Sequence, residues 1–310
     1  MLKRAIVTGG NGFIGSHLVK NLLNNGYDVT VILRDQASNT DRLKDLGINI
    51  VYCDNKQITT LPERVENKVF DLFFHFAWEG VSGDARKDIN VQFDNIRSTV
   101  DAVVSAKALG CQRFIGAGSI MEDESLYLCE TAGKPLPAQY LYGSAKLSAH
   151  MLSKTKASEV GIDFLWTKIT NTYGPGEISP RFINTTIRKI LNAERLEFTA
   201  GTQNYDFVYI DDVAEAFRLV AENGKNNTSY VVGSGNARPL RKYVELLHDT
   251  LETNQELHFG DIPFQGVNLD LSCFDPSSLF LDTGYRPKIK FEEGIQRTFE
   301  WIRGVKNAEI

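Results

Sequence analysis

A tyrosine and a lysine stand four residues apart in the segment YGSAK, at Tyr142 and Lys146. On a helix, this spacing puts both side chains on one face. A free tyrosine has a pKa near ~10, but a neighbouring ammonium favours the phenolate and lowers that pKa. The pair can then exchange a proton with an alcohol or a ketone. Because many helices contain this spacing by chance, the interpretation needs a third group.

A serine at the end of an apolar run supplies that group. The segment RFIGAGS predicts a strand that ends at Ser119. In a parallel sheet, the carboxyl ends of the strands form the edge where ligands bind. The Ser119 hydroxyl is then placed to hold a substrate oxygen beside Tyr142. Ser119, Tyr142 and Lys146 are therefore the predicted catalytic residues for an alcohol/ketone interconversion.

The N-terminal segment VTGGNGFIG places Gly9, Gly12 and Gly15 between the first predicted strand and the first predicted helix. Glycines allow a tight turn and a close backbone approach, so that a pyrophosphate can sit on the helix N-terminus. We predict a dinucleotide site here, with further cofactor contacts from Phe13 and Ile14.

The end of the second predicted strand bears on the choice of dinucleotide. NAD enzymes normally carry an acidic residue there, which binds the adenosine ribose. This chain has Leu33 followed by Arg34, and an arginine can pair with a 2′-phosphate where no carboxylate repels it. The sequence favours NADP as the cofactor. In the alternative, Asp35 binds the ribose and the cofactor is NAD.

Other cofactor contacts are expected where later strands end. Asp54 ends the third predicted strand, and it either meets the adenine ring or serves as a turn residue. Trp78 either shapes the pocket or packs in the core. The remaining predicted contacts are Asn55, Phe76 and Ala77.

Apolar strands and amphipathic helices alternate through the first half of the chain. This pattern predicts an α/β fold, a doubly wound parallel Rossmann sheet covered by helices on both faces. We assign it to residues 1–171, with a return segment at about 205–221. Residues 172–310 are predicted to form a smaller α/β C-terminal lobe that completes a substrate pocket at the junction.

Composition excludes several classes of function. The 310-residue chain has a formal net charge of −5, which disfavours a nucleic-acid or membrane surface. The longest apolar stretches are too short to span a bilayer, and we see no signal peptide. The four cysteines are widely separated, and the five histidines lack metal-ligand spacing. We expect a cytoplasmic protein with no metal.

Together these motifs resemble the extended short-chain dehydrogenase/reductase family, in its NAD(P)-dependent nucleotide-sugar epimerase, dehydratase and 4-ketoreductase group. The resemblance covers nearly the whole chain. Besides the cofactor fingerprint TGGNGFIGSH and the catalytic YGSAK, it rests on the segments NIRST, KITNTYGPG, DFVYIDDVAEAF and GYRPKIKFEEGI.

The resemblance implies a nucleotide-diphosphate sugar as substrate and hydride transfer between the nicotinamide and a sugar carbon, usually C4. It implies that Lys146 binds the nicotinamide ribose, that Asn95 supports the cofactor site and that Asn171 lies near the sugar diphosphate. Family members usually dimerise through two long helices, here predicted at residues 92–109 and 142–158, so we expect a homodimer.

Two departures from the family pattern narrow the chemistry. The 4,6-dehydratases carry an Asp-Glu pair directly after the catalytic Ser or Thr, whereas Ile120 and Met121 follow Ser119, and Glu122 comes later. This disfavours dehydratase chemistry. Tyr205 stands where the family usually has a diphosphate-binding arginine. The predicted substrate contacts are Ser119, Asn171, Arg181 and Tyr205, with Arg188 as a further candidate cation.

Three functions are therefore considered. The favoured one is an NADPH-dependent reductase of a nucleotide-linked 4-keto-6-deoxyhexose, because of Arg34. The alternative within the family is an NAD-dependent nucleotide-sugar 4-epimerase. A non-catalytic dinucleotide-sensing protein of the same fold is the alternative of another class. The three intact catalytic side chains disfavour it, since a sensor does not need them.

Overall fold

The structure, a computed structural model, describes residues 3–66 and 69–308. Its strands are β1 (Arg4–Thr8), β2 (Asp28–Leu33), β3 (Asn49–Tyr52), β4 (Leu72–His75), β5 (Arg113–Ser119), β6 (Asp163–Ile169), β7 (Asn171–Tyr173), β8 (Leu196–Phe198), β9 (Asn204–Tyr205), β10 (Phe207–Tyr209), β11 (Thr228–Val232), β12 (Arg238–Pro239) and β13 (Leu257–Phe259).

The α-helices of the described residues alternate with these strands in the first half of the chain. They are α1 (Phe13–Asn24), α2 (Leu61–Arg64), α3 (Ile89–Ala108), α4 (Met121–Glu130), α5 (Leu141–Val160), α6 (Phe182–Leu191), α7 (Ile210–Asn223), α8 (Leu240–Thr250), α9 (Ser277–Thr283) and α10 (Phe291–Ala308).

A parallel sheet of seven strands forms the centre of the described structure, in the order β11-β6-β5-β4-β1-β2-β3. The chain first adds β2 and β3 on one side of β1, and then adds β4 to β6 on the other side. This reversal opens a crevice at the carboxyl ends of β1 and β4, which is where such sheets bind ligands. The predicted doubly wound α/β fold is confirmed.

Helices cover both faces of the sheet, as near-continuous apolar strands require. On one face α1 packs against α7, and the buried core there includes Leu18, Leu22 and Phe217. On the other face α3 packs against α5, over a core that includes Phe114 and Trp166.

A glycine lets the largest of these side chains approach the sheet. A Cβ at Gly116 of β5 would lie 2.3 Å from the indole of Trp166, on the neighbouring β6. Protein interiors are packed too closely to absorb such an overlap, so glycine is required at this position. Trp166 itself is fully buried and extends the stack of Phe114 and Phe164 across the sheet.

The C-terminal segments form a second core with many aromatic side chains, where α6, α8 and α10 pack on β10. Tyr173, Phe207, Tyr243 and Phe291 contact one another there through their rings. The predicted domain boundary after residue 171 remains a prediction. The strand β11 lies beyond the predicted return segment, and it completes the sheet beside β6.

Within residues 3–66 and 69–308, no helix is both long enough and apolar enough to cross a bilayer. The same residues contain no group of three or more His, Cys, Asp or Glu side chains placed to share a metal ion.

Candidate active site

A cavity of ≈ 690 Å³ lies at the carboxyl edge of the sheet, above the crevice between β1 and β4. Fourteen residues predicted to contact the cofactor all lie on its wall. They are Gly9, Gly12, Phe13, Ile14, Gly15, Arg34, Asp54, Asn55, Phe76, Ala77, Trp78, Asn95, Tyr142 and Lys146. The structure therefore brings residues from six separate segments of the sequence to one site.

The glycine loop is shaped for close approach of backbone and ligand. Gly9 has a φ of +66°, and a Cβ there would lie 2.8 Å from the backbone nitrogen of Ala77. A Cβ at Gly15 would lie 2.3 Å from the carbonyl oxygen of Gly9. No side chain caps the N-terminus of α1 at Gly12, so the first N–H groups of this helix are free to bind an anion. This geometry fits the pyrophosphate of a dinucleotide.

Lys146 is buried one helical turn after Tyr142 on α5. Its ammonium donates a hydrogen bond to the carbonyl oxygen of Ala117 (2.7 Å) and lies 3.6 Å from the ring centroid of Trp78. It lies farther, 5.9 Å, from the ring centroid of Tyr142. Burial lowers the pKa of Lys146 to about 7. The π face of Trp78 therefore helps to stabilise the charged form of Lys146.

Tyr142 is partly buried at the start of α5, with the edge of Trp78 against its ring (centroids 6.0 Å apart). Burial raises the pKa of Tyr142, whereas the guanidinium groups of Arg181 and Arg86 act to lower it. A hydrogen bond with Ser119 also acts to lower this pKa. Ser119 itself is not part of the cavity wall, which its neighbours Ala117 and Gly118 line, and its contact with a substrate oxygen remains a prediction.

Glu122 is buried directly behind Ser119 and does not line the cavity. Its Oε1 accepts hydrogen bonds from the Ser119 backbone N–H (2.8 Å) and the Trp166 indole N–H (3.0 Å). Its Oε2 lies 3.3 Å from Nδ1 of His150. This carboxylate is therefore engaged in holding the end of β5, which agrees with the prediction that it does not serve as a dehydratase acid.

The structure brings a carboxylate to Arg34 that sequence reasoning missed. Oε2 of Glu79, which follows β4, lies 3.7 Å from Nη2 of Arg34, and both side chains are about half-exposed. The prediction of NADP assumed that no carboxylate stands at this position. Nothing local in the sequence links the two residues, because they meet only through the order of the strands in the sheet.

Arg42 is a second cation on the cavity wall that the sequence did not single out. Its guanidinium donates to the carbonyl oxygens of Asn11 (3.3 Å) and Gly176 (2.7 Å). It thereby ties the glycine loop to the loop after β7. Arg42 lies in an irregular stretch, where no periodic pattern or motif marks a functional residue.

Two predicted cofactor residues also have structural roles. The Asp54 carboxylate accepts a hydrogen bond from the Lys56 N–H (2.8 Å), as expected of a turn residue. The Asn95 amide accepts from the backbone N–H of Glu79 (2.9 Å) and donates to its carbonyl oxygen (2.8 Å). Asn95 therefore fixes the segment that carries Trp78 and Glu79 at the cavity.

The predicted substrate residues divide into two groups. Arg181 lines the cavity, with its Nε 3.2 Å from Oε2 of Glu177. Asn171 and Tyr205 lie off the cavity wall. The Asn171 amide donates to the carbonyl oxygen of Asp206 (3.2 Å), and the Tyr205 ring stacks on Phe207 (5.7 Å between centroids). Substrate contact by these two residues remains a prediction.

A profile of the NAD dependent epimerase/dehydratase family matches residues 5–233. The chain belongs to this family. The match spans the glycine loop, the segment of Tyr142 and Lys146 and the edge strand β11.

The relatives of this chain differ from one another in the activity they are named for. The chain is 26% identical over 310 residues to a putative UDP-glucose 4-epimerase of Methanocaldococcus jannaschii, covering 96% of this chain and 98% of the relative. It is 26% identical over 334 residues to the dTDP-D-glucose 4,6-dehydratase of Mus musculus, covering 99% and 92% of the two chains.

Solved structures show the same fold over nearly all of the chain. A UDP-glucose 4-epimerase of Thermotoga maritima with UDP-glucose superposes with a TM-score of 0.81 at 23% identity, covering 98% of this chain and 99% of the other. DesIV, a dTDP-glucose 4,6-dehydratase of Streptomyces venezuelae with NAD and TYD bound, gives a TM-score of 0.80 at 24% identity, covering 98% of each chain.

His75 lies at the end of β4 below the cavity and is buried. Its Nδ1 lies 2.9 Å from the Thr8 hydroxyl, and its Nε2 has no hydrogen-bond partner among the described residues. Burial, together with the charge of Lys146, lowers the pKa of His75 from 6.5 to about 3. The neutral, enclosed ring indicates a packing role for this histidine.

This burial predicts an acid-sensitive stability. Between pH 6.5 and about 3 the unfolded chain binds a proton at His75 that the folded chain does not bind. The free energy of unfolding therefore falls as the pH is lowered through this window, at up to about 1.4 kcal/mol per pH unit from this group. In urea denaturation, the free energy of unfolding of His75→Gln should fall less steeply between pH 6.5 and 5 than that of the wild-type protein. His258→Gln, at a partly exposed histidine, should retain the wild-type dependence on pH. Equal slopes in all three proteins would contradict the assignment.

Proposed function

We propose that the protein is an NADPH-dependent reductase that acts on the C4 ketone of a nucleotide-linked 4-keto-6-deoxyhexose. The observation that carries the proposal is that Tyr142 and Lys146 line the same cavity as the glycine loop, with Ser119 close to Tyr142 behind the cavity wall. The exposed Arg34 guanidinium on the same wall supports the choice of NADPH. The engagement of Glu122 behind Ser119 speaks against water elimination as the reaction.

In this proposal the glycine loop and the N-terminus of α1 hold the pyrophosphate, and Lys146 holds the nicotinamide ribose. The bound dihydronicotinamide supplies a hydride to C4 of the sugar. Ser119 orients the C4 oxygen, and the Tyr142 hydroxyl gives that oxygen its proton, so that the ketone becomes an alcohol. Arg181 stands on the cavity wall beside Tyr142, where it can bind an anionic group of the substrate.

An NAD-dependent nucleotide-sugar 4-epimerase is the second candidate. The Glu79 carboxylate beside Arg34 favours it, because this carboxylate partly neutralises the cation that a 2′-phosphate requires. The relatives that are UDP-glucose 4-epimerases also support it. The same three side chains serve both reactions. The candidates differ in the cofactor, and in whether the sugar is reduced overall, since an epimerase leaves it at the same oxidation level.

The first test measures NADPH consumption by the purified protein with a nucleotide-linked 4-keto-6-deoxyhexose. The proposal expects consumption in step with the formation of a 4-hydroxy product. Tyr142→Phe should lower kcat at least about a hundredfold, because it removes the proton donor. Interconversion of UDP-glucose and UDP-galactose with bound NAD, without NADPH consumption, would favour the epimerase. A fully active Tyr142→Phe variant would reject the mechanism for both.

The second test addresses cofactor choice at Arg34 and Glu79. Arg34→Ala should weaken NADPH binding about tenfold or more while NADH binding changes little, since a charge-assisted pair contributes about 1.5–3 kcal/mol. Glu79→Gln is the matched variant, and it should tighten NADPH binding by removing the competing carboxylate. Fluorescence titration with each cofactor gives the dissociation constants. Equal losses for both cofactors in Arg34→Ala would place the guanidinium away from a 2′-phosphate.

We also propose that the protein is a homodimer that buries the outer faces of α3 and α5. Phe93 and Val104 of α3 and Met151 and Leu152 of α5 are all exposed, in two helices that pack side by side. Phe93 and Val104 are eleven residues apart, which places them on one face of the helix. Exposed apolar side chains on two paired helices are typical of an interface between subunits.

Light scattering should therefore give twice the chain mass for the wild-type protein. The double variant Phe93→Glu/Met151→Glu should give a monomer, because it places charges in the apolar interface. Leu281→Glu is the matched control, since Leu281 is exposed on α9, away from both helices. A wild-type monomer, or a double variant that stays dimeric, would contradict this arrangement.

A further inference from the structure

Arg86 lies beside the catalytic tyrosine without belonging to any predicted motif. It is carried by a short 3₁₀ turn, Asp84–Lys87, in the loop between β4 and α3. Its guanidinium carbon lies 4.8 Å from the ring centroid of Tyr142, and its Nη2 contacts the sulfur of Met121. The cation is thus packed on the face of the tyrosine ring.

This guanidinium has no carboxylate partner among the described residues, unlike two of the arginines on the cavity wall. Arg34 and Arg181 have Glu79 and Glu177 within 4 Å, whereas no carboxylate of the described residues approaches Arg86 within that distance. Its Nε is buried and has no hydrogen-bond partner among the same residues. Burial lowers the pKa of Arg86. A half-buried cation without a counter-ion is costly, so an anion formed beside it is stabilised.

The charges around Tyr142 come from four elements. Arg181 and Arg86 favour the phenolate, and Glu122 on α4 opposes it. Lys146, on the tyrosine's own helix, directs its ammonium to Ala117 and Trp78.

Glu124, another carboxylate of α4, faces Arg86. Burial raises the pKa of Glu124 to about 7, so near neutral pH it offsets only part of the positive charge of Arg86. The guanidinium groups therefore remain the main positive charges that face the tyrosine.

We propose that Arg86 is a positioning residue whose guanidinium stabilises the Tyr142 phenolate left behind when the tyrosine gives its proton to the substrate oxygen. This inference rests on the proposed function for the identity of that step. In each reduction C4 accepts a hydride from the dihydronicotinamide, the C4 oxygen accepts the Tyr142 proton, and the negative charge remains on Tyr142 until solvent returns a proton. Arg86 offsets that charge from the ring face, without contacting the reacting atoms.

The test titrates the phenolate of Tyr142 in the free protein. The absorbance change near ~295 nm on raising the pH, less that of Tyr142→Phe, isolates this one tyrosine. Arg86→Gln should raise the pH of its ionisation by about one unit, because a nearby cation shifts a pKa by about that amount. In Arg86→Lys, Tyr142 should ionise at nearly the wild-type pH, since an electrostatic effect needs the positive charge and not the planar N–H donors of the guanidinium.

Lys87→Gln is the matched control. It removes a positive charge from the same turn, at an exposed position, and should leave the titration unchanged. With substrate, Arg86→Gln should lower kcat about tenfold with KM within about twofold, as expected when a transition-state interaction is lost. The pH at which kcat falls on the alkaline side should rise in Arg86→Gln by the same number of pH units as the ionisation of Tyr142.

Two results would overturn the proposal. One is an unchanged Tyr142 titration in a folded Arg86→Gln protein. The other is a large rise in KM with unchanged kcat, which would make Arg86 a substrate-binding residue. Because the titration needs neither cofactor nor substrate, it gives an answer even if the reductase assay fails, and the two failures are distinguishable.

Discussion

The removal of water from Tyr142 and Lys146 is the constraint on which the site depends. Burial opposes the charged form of both side chains, and it raises the pKa of the tyrosine while it lowers that of the lysine. Proton transfer at neutral pH needs the phenolate to form readily. Neighbouring groups must therefore replace the stabilisation that water would give to the two charges. Trp78 and the Ala117 carbonyl hold the ammonium, and Arg86 and Arg181 offset the phenolate.

The fold supplies these groups from segments far apart in the chain. The reversal of strand order at β1 brings the ends of β4 and β5 beside the glycine loop, so Trp78, Ala117 and Gly118 line one cavity and Ser119 follows directly behind them. Asn95 then fixes the Trp78 segment through its bonds to the Glu79 backbone. Glu122 fixes the end of β5 through the Ser119 N–H. The Trp78 segment and the end of β5 are thus each held by a buried polar side chain.

The sequence predicted those parts of the site that are encoded locally. The glycine loop, the Tyr142–Lys146 spacing and the strand ending at Ser119 each reside in a few consecutive residues with a defined local geometry. The alternation of elements likewise predicted the parallel sheet. Long-range contacts were not predictable in this way. Glu79 meets Arg34, and Arg86 meets Tyr142, only because the sheet order places distant loops together. The strand β11 was missed because it follows a segment in which the alternation had stopped.

The central claim is that a nicotinamide cofactor held in this cavity would give a hydride to C4 of a nucleotide-linked sugar, while Tyr142 supplies the proton. The most direct measurement uses NADPH deuterated at the transferring position of the nicotinamide, with NMR of the sugar product. The account predicts one deuterium on C4 of the product, and product formation at least about a hundredfold slower with the Tyr142→Phe variant. Deuterium at another sugar carbon, or a C4-inverted sugar that carries no deuterium, would contradict it.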